Sequence, residues 1–153
     1  MESDDVSTAR DRHRGYEQAL GAAGVALDPD LLVRATVDPE GGFDGIRRLL
    51  ALEEPPTAVF TVNNLVALGA IEGVRARGLE VPDDVALVCV DDIEHASRLY
   101  PFLTVMAQPA ETLGTLGTQL LLERIEARAP DRSRVVVLPA QFIVRRSCGA
   151  VTA

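Results

Sequence analysis

The sequence predicts an α/β fold with an open, mainly parallel sheet and helices on both faces, and three observations carry that prediction. Short β-branched runs alternate along the chain with stretches whose apolar residues recur at helical spacing. The run from Val85 to Val90 is apolar without alternation, as suits a strand covered on both sides. Two strands finish in polar groups, Asn63 after the first and Asp91-Asp92 after the second, and in an open parallel sheet that edge is where ligands sit.

Taken in order, residues 1–6 are acidic and aperiodic, which predicts a disordered tail. Thr8 with Asp11 three residues on reads as a capping box, opening a helix whose Tyr16, Ala19, Leu20 and Ala23 share a face before Gly24 stops it. Leu31 to Val37 follows an Asp28-Pro29-Asp30 turn and reads as a strand. Pro39 and Gly41-Gly42 punctuate the next connection. Phe43, Ile46, Leu49 and Leu50 then repeat at helical spacing up to a Glu53-Glu54-Pro55-Pro56 stop. Ala58 to Val62 predicts a strand, Asn63-Asn64 can cap the next helix, and Ala67, Ile71 and Val74 mark that helix up to its end at Gly78. After Val85–Val90, residues Ile93 to Arg98 predict a helical turn ended by Pro101, and Leu103 to Ala107 a strand followed by the polar Gln108. A helix from Ala110 to about Arg128 presents Leu113, Leu116, Leu120, Leu121 and Ile125 as a broad apolar face. Val135–Leu138 and Gln141–Val144 read as short strands separated by Pro139.

With 153 residues and 47% hydrophobic content the chain can bury one core, so one domain is the ceiling. A net charge of −8 excludes a nucleic-acid surface, because phosphate binding needs clustered Lys and Arg, and Arg10, Arg12 and Arg14 are interleaved with Asp11. Two cysteines are too few for a disulfide scaffold, and Cys89 falls inside an apolar strand. The start lacks a cationic segment followed by an apolar run, and no stretch is long enough to span a bilayer, so the cytoplasm is the expected compartment.

Asn63 offers one acceptor and two donors at a strand end, which suits either a ligand hydroxyl or a helix N-cap. A carboxylate at Asp91 or Asp92 can accept two charge-assisted bonds from adjacent hydroxyls, or cap the next helical turn. Asp91, Asp92, Glu94 and His95 lack the paired-histidine spacing of a metal site, so no metal is expected. No motif gives His13 or His95 a nucleophilic partner, and Gly114-Thr115-Leu116-Gly117 lies inside a helical pattern rather than a strand-to-helix turn. These patterns predict neither an enzyme nor a cofactor.

The stretch from Thr57 to Asp92, together with STARDRHRGYEQAL, LTVMAQPAETLGTLGTQLL and LPAQFIVRRS, resembles the effector-binding region of bacterial transcription regulators of the lactose-repressor and galactose-repressor (LacI/GalR) family, in unbroken order from about Ser7 to Ser147. The resemblance implies a two-lobed sensor with the type I fold of periplasmic sugar-binding proteins, binding a small effector, expected to be a carbohydrate, between its lobes. It implies one lobe over residues 7–108, a 109–138 segment belonging to the other lobe, and a return strand at 139–147. In the family a strand precedes the helix matching Thr8 to Ala23, so the chain is expected to be incomplete at its N-terminus and only marginally stable alone. The helix-turn-helix module through which the family reads DNA is expected to be absent.

By the same resemblance Arg12, Asn63 and Asp91 match effector-contacting positions, and Gln108 a polar contact on the hinge side. Asn64 stands where the family commonly has aspartate and is left as the expected helix cap, with Asp92 as a second cap. Leu68 and Leu99 match positions of subunit pairing, which implies a homodimer. Val37 and Ala110 replace the aromatic rings of several sugar-binding relatives, so the effector is bound weakly or is not a hexose. The expected function is effector sensing and dimerisation for a transcription regulator. The alternatives are the solute-binding protein of a sugar transporter and an inactive truncated product.

Overall fold

The computed structural model describes residues 7–93, 97, 101–128, 130 and 132–150. Its elements in chain order are helix α1 (Ser7–Ala22), a 3-10 turn (Pro29–Leu31), helix α2 (Pro39–Leu49), strand β1 (Ala58–Thr61), helix α3 (Asn64–Ala76), strands β2 (Ala86–Val90) and β3 (Thr104–Ala107), helix α4 (Ala110–Ile125), strand β4 (Gln141–Ile143) and a second 3-10 turn (Arg146–Cys148). The sheet order is β1-β2-β3-β4. Strands β1, β2 and β3 run parallel, and β4 returns antiparallel to β3. This is the expected α/β class with a mainly parallel sheet.

The best-buried layer is the α2–α3 pair against the first three strands. α2 begins four residues earlier than its apolar spacing indicates. Asp38 caps it by accepting a hydrogen bond from the Gly41 amide at 2.7 Å, and Pro39 occupies the first turn, where its missing N–H costs nothing. Gly41 and Gly42, expected in a connection, are therefore helical and buried. The reason is contact: a Cβ at Gly42 would lie 2.1 Å from the Val66 carbonyl oxygen, and one at Gly69 would lie 1.7 Å from that of Pro39. Only glycine lets these helices approach so closely. Arg77, at the end of α3, donates from its guanidinium to the Leu50 carbonyl at the end of α2 and clasps the pair.

Ala67, Ala70 and Val74 of α3 join Ile46, Leu49 and Leu50 with Leu87, Cys89, Leu103 and Val105 in one core. Full burial of Leu87, Val74, Val85 and Val105 contributes about 1.5–3 kcal/mol per side chain. Along β2 the burial alternates, with Leu87 and Cys89 buried and Ala86, Val88 and Val90 half-buried, so the strand expected to be covered on both faces is covered unevenly. The second 3-10 turn closes the other end of the core. Fully buried Ser147 donates from its hydroxyl to the Leu87 carbonyl at 2.6 Å and accepts from the Thr104 amide at 2.8 Å.

Several expectations are corrected at the periphery. α1 starts at Ser7, so Thr8 lies within the helix rather than capping it. Its half-buried stripe is Arg12, Tyr16 and Leu20, whereas Ala19 and Ala23 are exposed. Leu31 to Val37 is not a strand: Leu31 closes the first 3-10 turn, Leu32 is extended with φ −101° and ψ 111°, and no strand lies beside it among the described residues. Val135–Leu138 is not a strand either, for the same lack of a neighbour, and Val135 and Val137 are 88% and 86% exposed. α4 buries none of its residues, leaving Leu113, Leu121 and Ile125 exposed. The turn expected at Ile93–Arg98 lies mostly outside the described residues. Among the described residues no helix is long and apolar enough to cross a membrane.

The glycine contact is directly testable. Gly69→Ala places a methyl against the Pro39 backbone and is expected to lower stability by about 2–3 kcal/mol. Gly114→Ala, with nothing within 4 Å, is expected to cost nothing. Urea melts that gave the two variants equal midpoints would refute the close approach of α2 and α3.

Candidate functional site

The parallel register sets the site. Thr61 pairs with Cys89, and Cys89 with Val105, so two steps further along all three strands end at a common rim, with Asn63 beside Asp91 and Gln108 just past β3. Adjacent strands lie about 4.8 Å apart, which brings these polar side chains into one row. The Asp91 amide still donates to the Met106 carbonyl at 3.1 Å, so β2 and β3 remain paired up to the row itself.

Asp91 is half-buried and adopts a left-handed conformation with φ 69°, which aspartate tolerates better than most residues. This kink separates two adjacent carboxylates. The Asp91 side chain accepts a hydrogen bond from the Gln108 amide. Asp92 turns the other way and is engaged by the fold. Its carboxylate takes a fork from Arg145, Nη1 to Oδ1 at 2.8 Å and Nη2 to Oδ2 at 2.6 Å. It also accepts from Ser97 Oγ at 2.6 Å and from the Ile93 amide at 2.8 Å. Asp92 is thus one end of an ion pair between the β2 loop and the chain after β4, and the helical turn it was expected to cap lies mostly outside the described residues.

Sequence reasoning missed Arg145. The signal was available in Arg145-Arg146 following an apolar strand, but its partner is 53 positions away and only the sheet order brings them together. Arg145 also donates to the Leu103 carbonyl at 2.8 Å, and its own amide and carbonyl are both bonded to Thr104 Oγ1. The Arg145 guanidinium is the main cause that holds the Asp92 carboxyl at about 2, against 3.8 for a free aspartate, with Ser97 adding to the effect and partial burial opposing it.

Asn63 is the N-cap of α3: its side-chain oxygen accepts from the Val66 amide at 2.9 Å. Asn64, expected as the cap, instead stands at the first helical position and donates from its amide to the Asp92 carbonyl at 3.0 Å, fastening α3 to the β2 loop. The cap uses the oxygen of Asn63 and leaves its NH₂ group for other partners. Arg12 stands apart from the row. It is half-buried on α1 and lines a cavity of about 310 Å³ that reaches Thr61 and Val62, the residue before Asn63, but neither Asp91 nor Gln108. The structure thus joins Asp91 to Gln108, aligns Asn63 with them, and puts Arg12 on the β1 side.

Among the described residues no three His, Cys, Asp or Glu side chains converge as a metal site requires, and Glu94 and His95 lie outside those residues. Burial pushes the Cys89 thiol up to about 12, so it packs as an inert small hydrophobe. Leu68 is 44% exposed on α3 beside Leu65 at 46%, and Leu99 lies outside the described residues.

The chain belongs to the periplasmic binding protein-like domain family, whose model matches residues 1–148. It is 37% identical over 142 residues to the HTH-type transcriptional repressor PurR of Pasteurella multocida, covering 92% of this chain and 42% of that protein. The chain therefore spans less than half the length of that curated relative. Among solved structures it is similar to the transcriptional regulator CelR in complex with cellobiose, with a TM-score of 0.84 and 34% identity over 94% of this chain and 44% of that one. It is also similar to a LacI-family transcriptional regulator from Enterococcus faecium with bound ribose, with a TM-score of 0.79 and 29% identity over 89% and 49% of the two chains.

The Asp92–Arg145 fork predicts an acid response. Because folding depresses the Asp92 pKa, its stabilisation is complete above about pH 4 and is lost as pH falls from about 4 through 2, amounting to about 2–3 kcal/mol. Asp92→Asn should remove this part of the acid dependence and lower stability at neutral pH by a similar amount. Superimposable acid-unfolding curves for variant and wild type would rule the linkage out.

Proposed function

We propose that this chain is an effector-sensing lobe of a transcription regulator, binding a small polyhydroxylated molecule, of the carbohydrate class, by reversible hydrogen bonding and catalysing no reaction. The observation that carries the proposal is the placing of Asn63, Asp91 and Gln108 just past the ends of three adjacent parallel strands, with Gln108 bonded to Asp91. A charged acceptor, an amide donor and a second amide in one line complement vicinal hydroxyls. Bound cellobiose and ribose in two similar structures agree with that chemistry. Arg12 adds a guanidinium from the β1 side.

Residues 7–108 with the return strand then form one lobe, and the segment 109–138 belongs to a second. Support comes from α4, which buries nothing, and from residues 132–140, which stay outside the sheet before β4 rejoins it. A ligand held between lobes biases their arrangement only by its differential affinity for the two states. Subunit pairing runs through the α3 face carrying Leu65 and Leu68, with Leu99 as its expected companion. DNA is reached through a separate module, in keeping with a net charge of −8 on this chain. The site of action is the cytoplasm.

Calorimetric titration of the chain with ribose and with cellobiose tests the proposal. At least one sugar should bind, Asp91→Ala should weaken it by about tenfold to a hundredfold, and Asn63→Asp, which preserves the cap, should weaken it while leaving the melting curve unchanged. Wild-type heats retained by Asp91→Ala, or no heat with either sugar, would overturn the assignment.

A further inference from the structure

Asp91 has a left-handed backbone, with φ 69°. A residue other than glycine keeps that conformation only where its surroundings over-determine it. Three restraints come from the sheet and from α3. The Asp91 amide donates to the Met106 carbonyl at 3.1 Å, the Cys89 thiol donates to the Asp91 carbonyl at 3.6 Å, and the Asn64 side-chain amide donates to the Asp92 carbonyl at 3.0 Å. All three act on the main chain on either side of the turn. The Asp92 side chain, the next group along, is held from the chain after β4.

Arg145 supplies that fourth restraint. Its fork on both Asp92 oxygens fixes direction as well as distance. The guanidinium is itself committed to protein partners: Nη1 also donates to Ser97 Oγ at 3.2 Å and to the Leu103 carbonyl at 2.8 Å, and the side chain is only 12% exposed. The Arg145 backbone is tied to fully buried Thr104, whose Oγ1 accepts from the Arg145 amide at 2.8 Å and donates to the Arg145 carbonyl at 2.9 Å. Among the described residues Arg145 makes no hydrogen bond to Asn63, Asp91 or Gln108.

We infer that Arg145 is a positioning residue for effector binding: through its fork on Asp92 it fixes the left-handed turn that places the Asp91 carboxylate. The role rests on Asp91 being an effector contact, as proposed above, and goes beyond it, because the Arg145 guanidinium is already occupied by the protein. Binding groups must be held to within about 0.5 Å and 10–20° of their working geometry. Relaxation of Asp91 from φ 69° to any negative φ exceeds that angular tolerance. An ion pair that served stability alone would leave the affinity of the folded protein unchanged.

A double-mutant cycle on sugar affinity tests the role. Ribose and cellobiose are titrated calorimetrically into the wild type, Arg145→Gln, Asp91→Ala and the double variant, at a temperature where circular dichroism shows each folded. Arg145→Gln should weaken binding by about tenfold, yet change it by less than about twofold in the Asp91→Ala background, because it acts through Asp91. Where Asp91→Ala binds too weakly for heats, ligand-detected NMR reads the same cycle. Should Arg145→Gln not fold, Asp92→Asn takes its place. The Asn oxygen can still accept from Ser97 and the Ile93 amide, whereas its NH₂ meets Arg145 Nη2 donor to donor and breaks the fork, with an expected loss of about threefold to tenfold. Wild-type affinity in these variants, or equal losses in the two backgrounds, would overturn the positioning role and leave Asp91 as an effector contact. No binding of either sugar by the wild type, or wild-type affinity in Asp91→Ala, would overturn the effector reading and the positioning role with it.

Discussion

The close approach of α2 and α3 is the constraint on which the rest depends. Because Gly42 and Gly69 have no Cβ, each helix presses on the backbone of the other, and the pair forms a single rigid layer under the sheet. That layer fixes where α3 begins. Its first turn must meet the end of β1, where Asn63 caps it and Asn64 reaches across to the Asp92 carbonyl. Packing between two glycine-bearing helices therefore decides the position of a polar row that neither helix contains.

The rim shows how two neighbouring carboxylates acquire different roles. The left-handed turn at Asp91 points successive side chains in different directions, so Asp92 goes inward to Arg145 and Asp91 stays at the edge. Arg145 and Asp92 are 12% and 18% exposed, and their fork meets four further polar groups: Ser97, the Ile93 amide, the Leu103 carbonyl and, through Arg145's own backbone, Thr104. A partly buried pair with its remaining hydrogen bonds satisfied avoids the penalty that makes isolated buried ions costly. The pair joins the loop after β2 to the chain after β4, which keeps the row in place at the end of short strands.

Much of the sheet was legible because strand signals need only local composition. β1, β2, β3 and β4 fall where short apolar runs meet polar ends, and α3 where its spacing and Gly78 place it. Failures cluster where structure depends on a neighbour. Leu31–Val37 and Val135–Leu138 have the composition of strands, yet a strand exists only when another lies beside it. Gly41-Gly42 looked like loop punctuation because nothing local reveals that α3 will pack against it. At the site, Asp91, Asn63 and Gln108 were readable as polar residues at strand ends. The exchange of roles between Asn63 and Asn64 was not, since it turns on which of the two still has extended backbone, φ −157° at Asn63. Arg145 was invisible because its role is defined by a partner across the sheet.

The same dependence explains the uneven quality of the fold. Among the described residues nearly every buried side chain belongs to residues 41–105, and the single buried residue beyond them, Ser147, is held by β2 and β3. The described side chains of α1 and α4, which flank this core in sequence, are not buried, and Leu113, Leu121 and Ile125 stay in water. At about 1.5–3 kcal/mol for each large side chain left uncovered, the deficit is comparable with the whole stability of an ordinary domain. A sheet open at both β1 and β4 among the described residues, with two helices whose described side chains are at most half-buried, is therefore a stable centre with an unsatisfied margin. Anything that covers that margin in the folded state stabilises the fold by mass action, so occupancy of the margin and stability of the rim are thermodynamically linked.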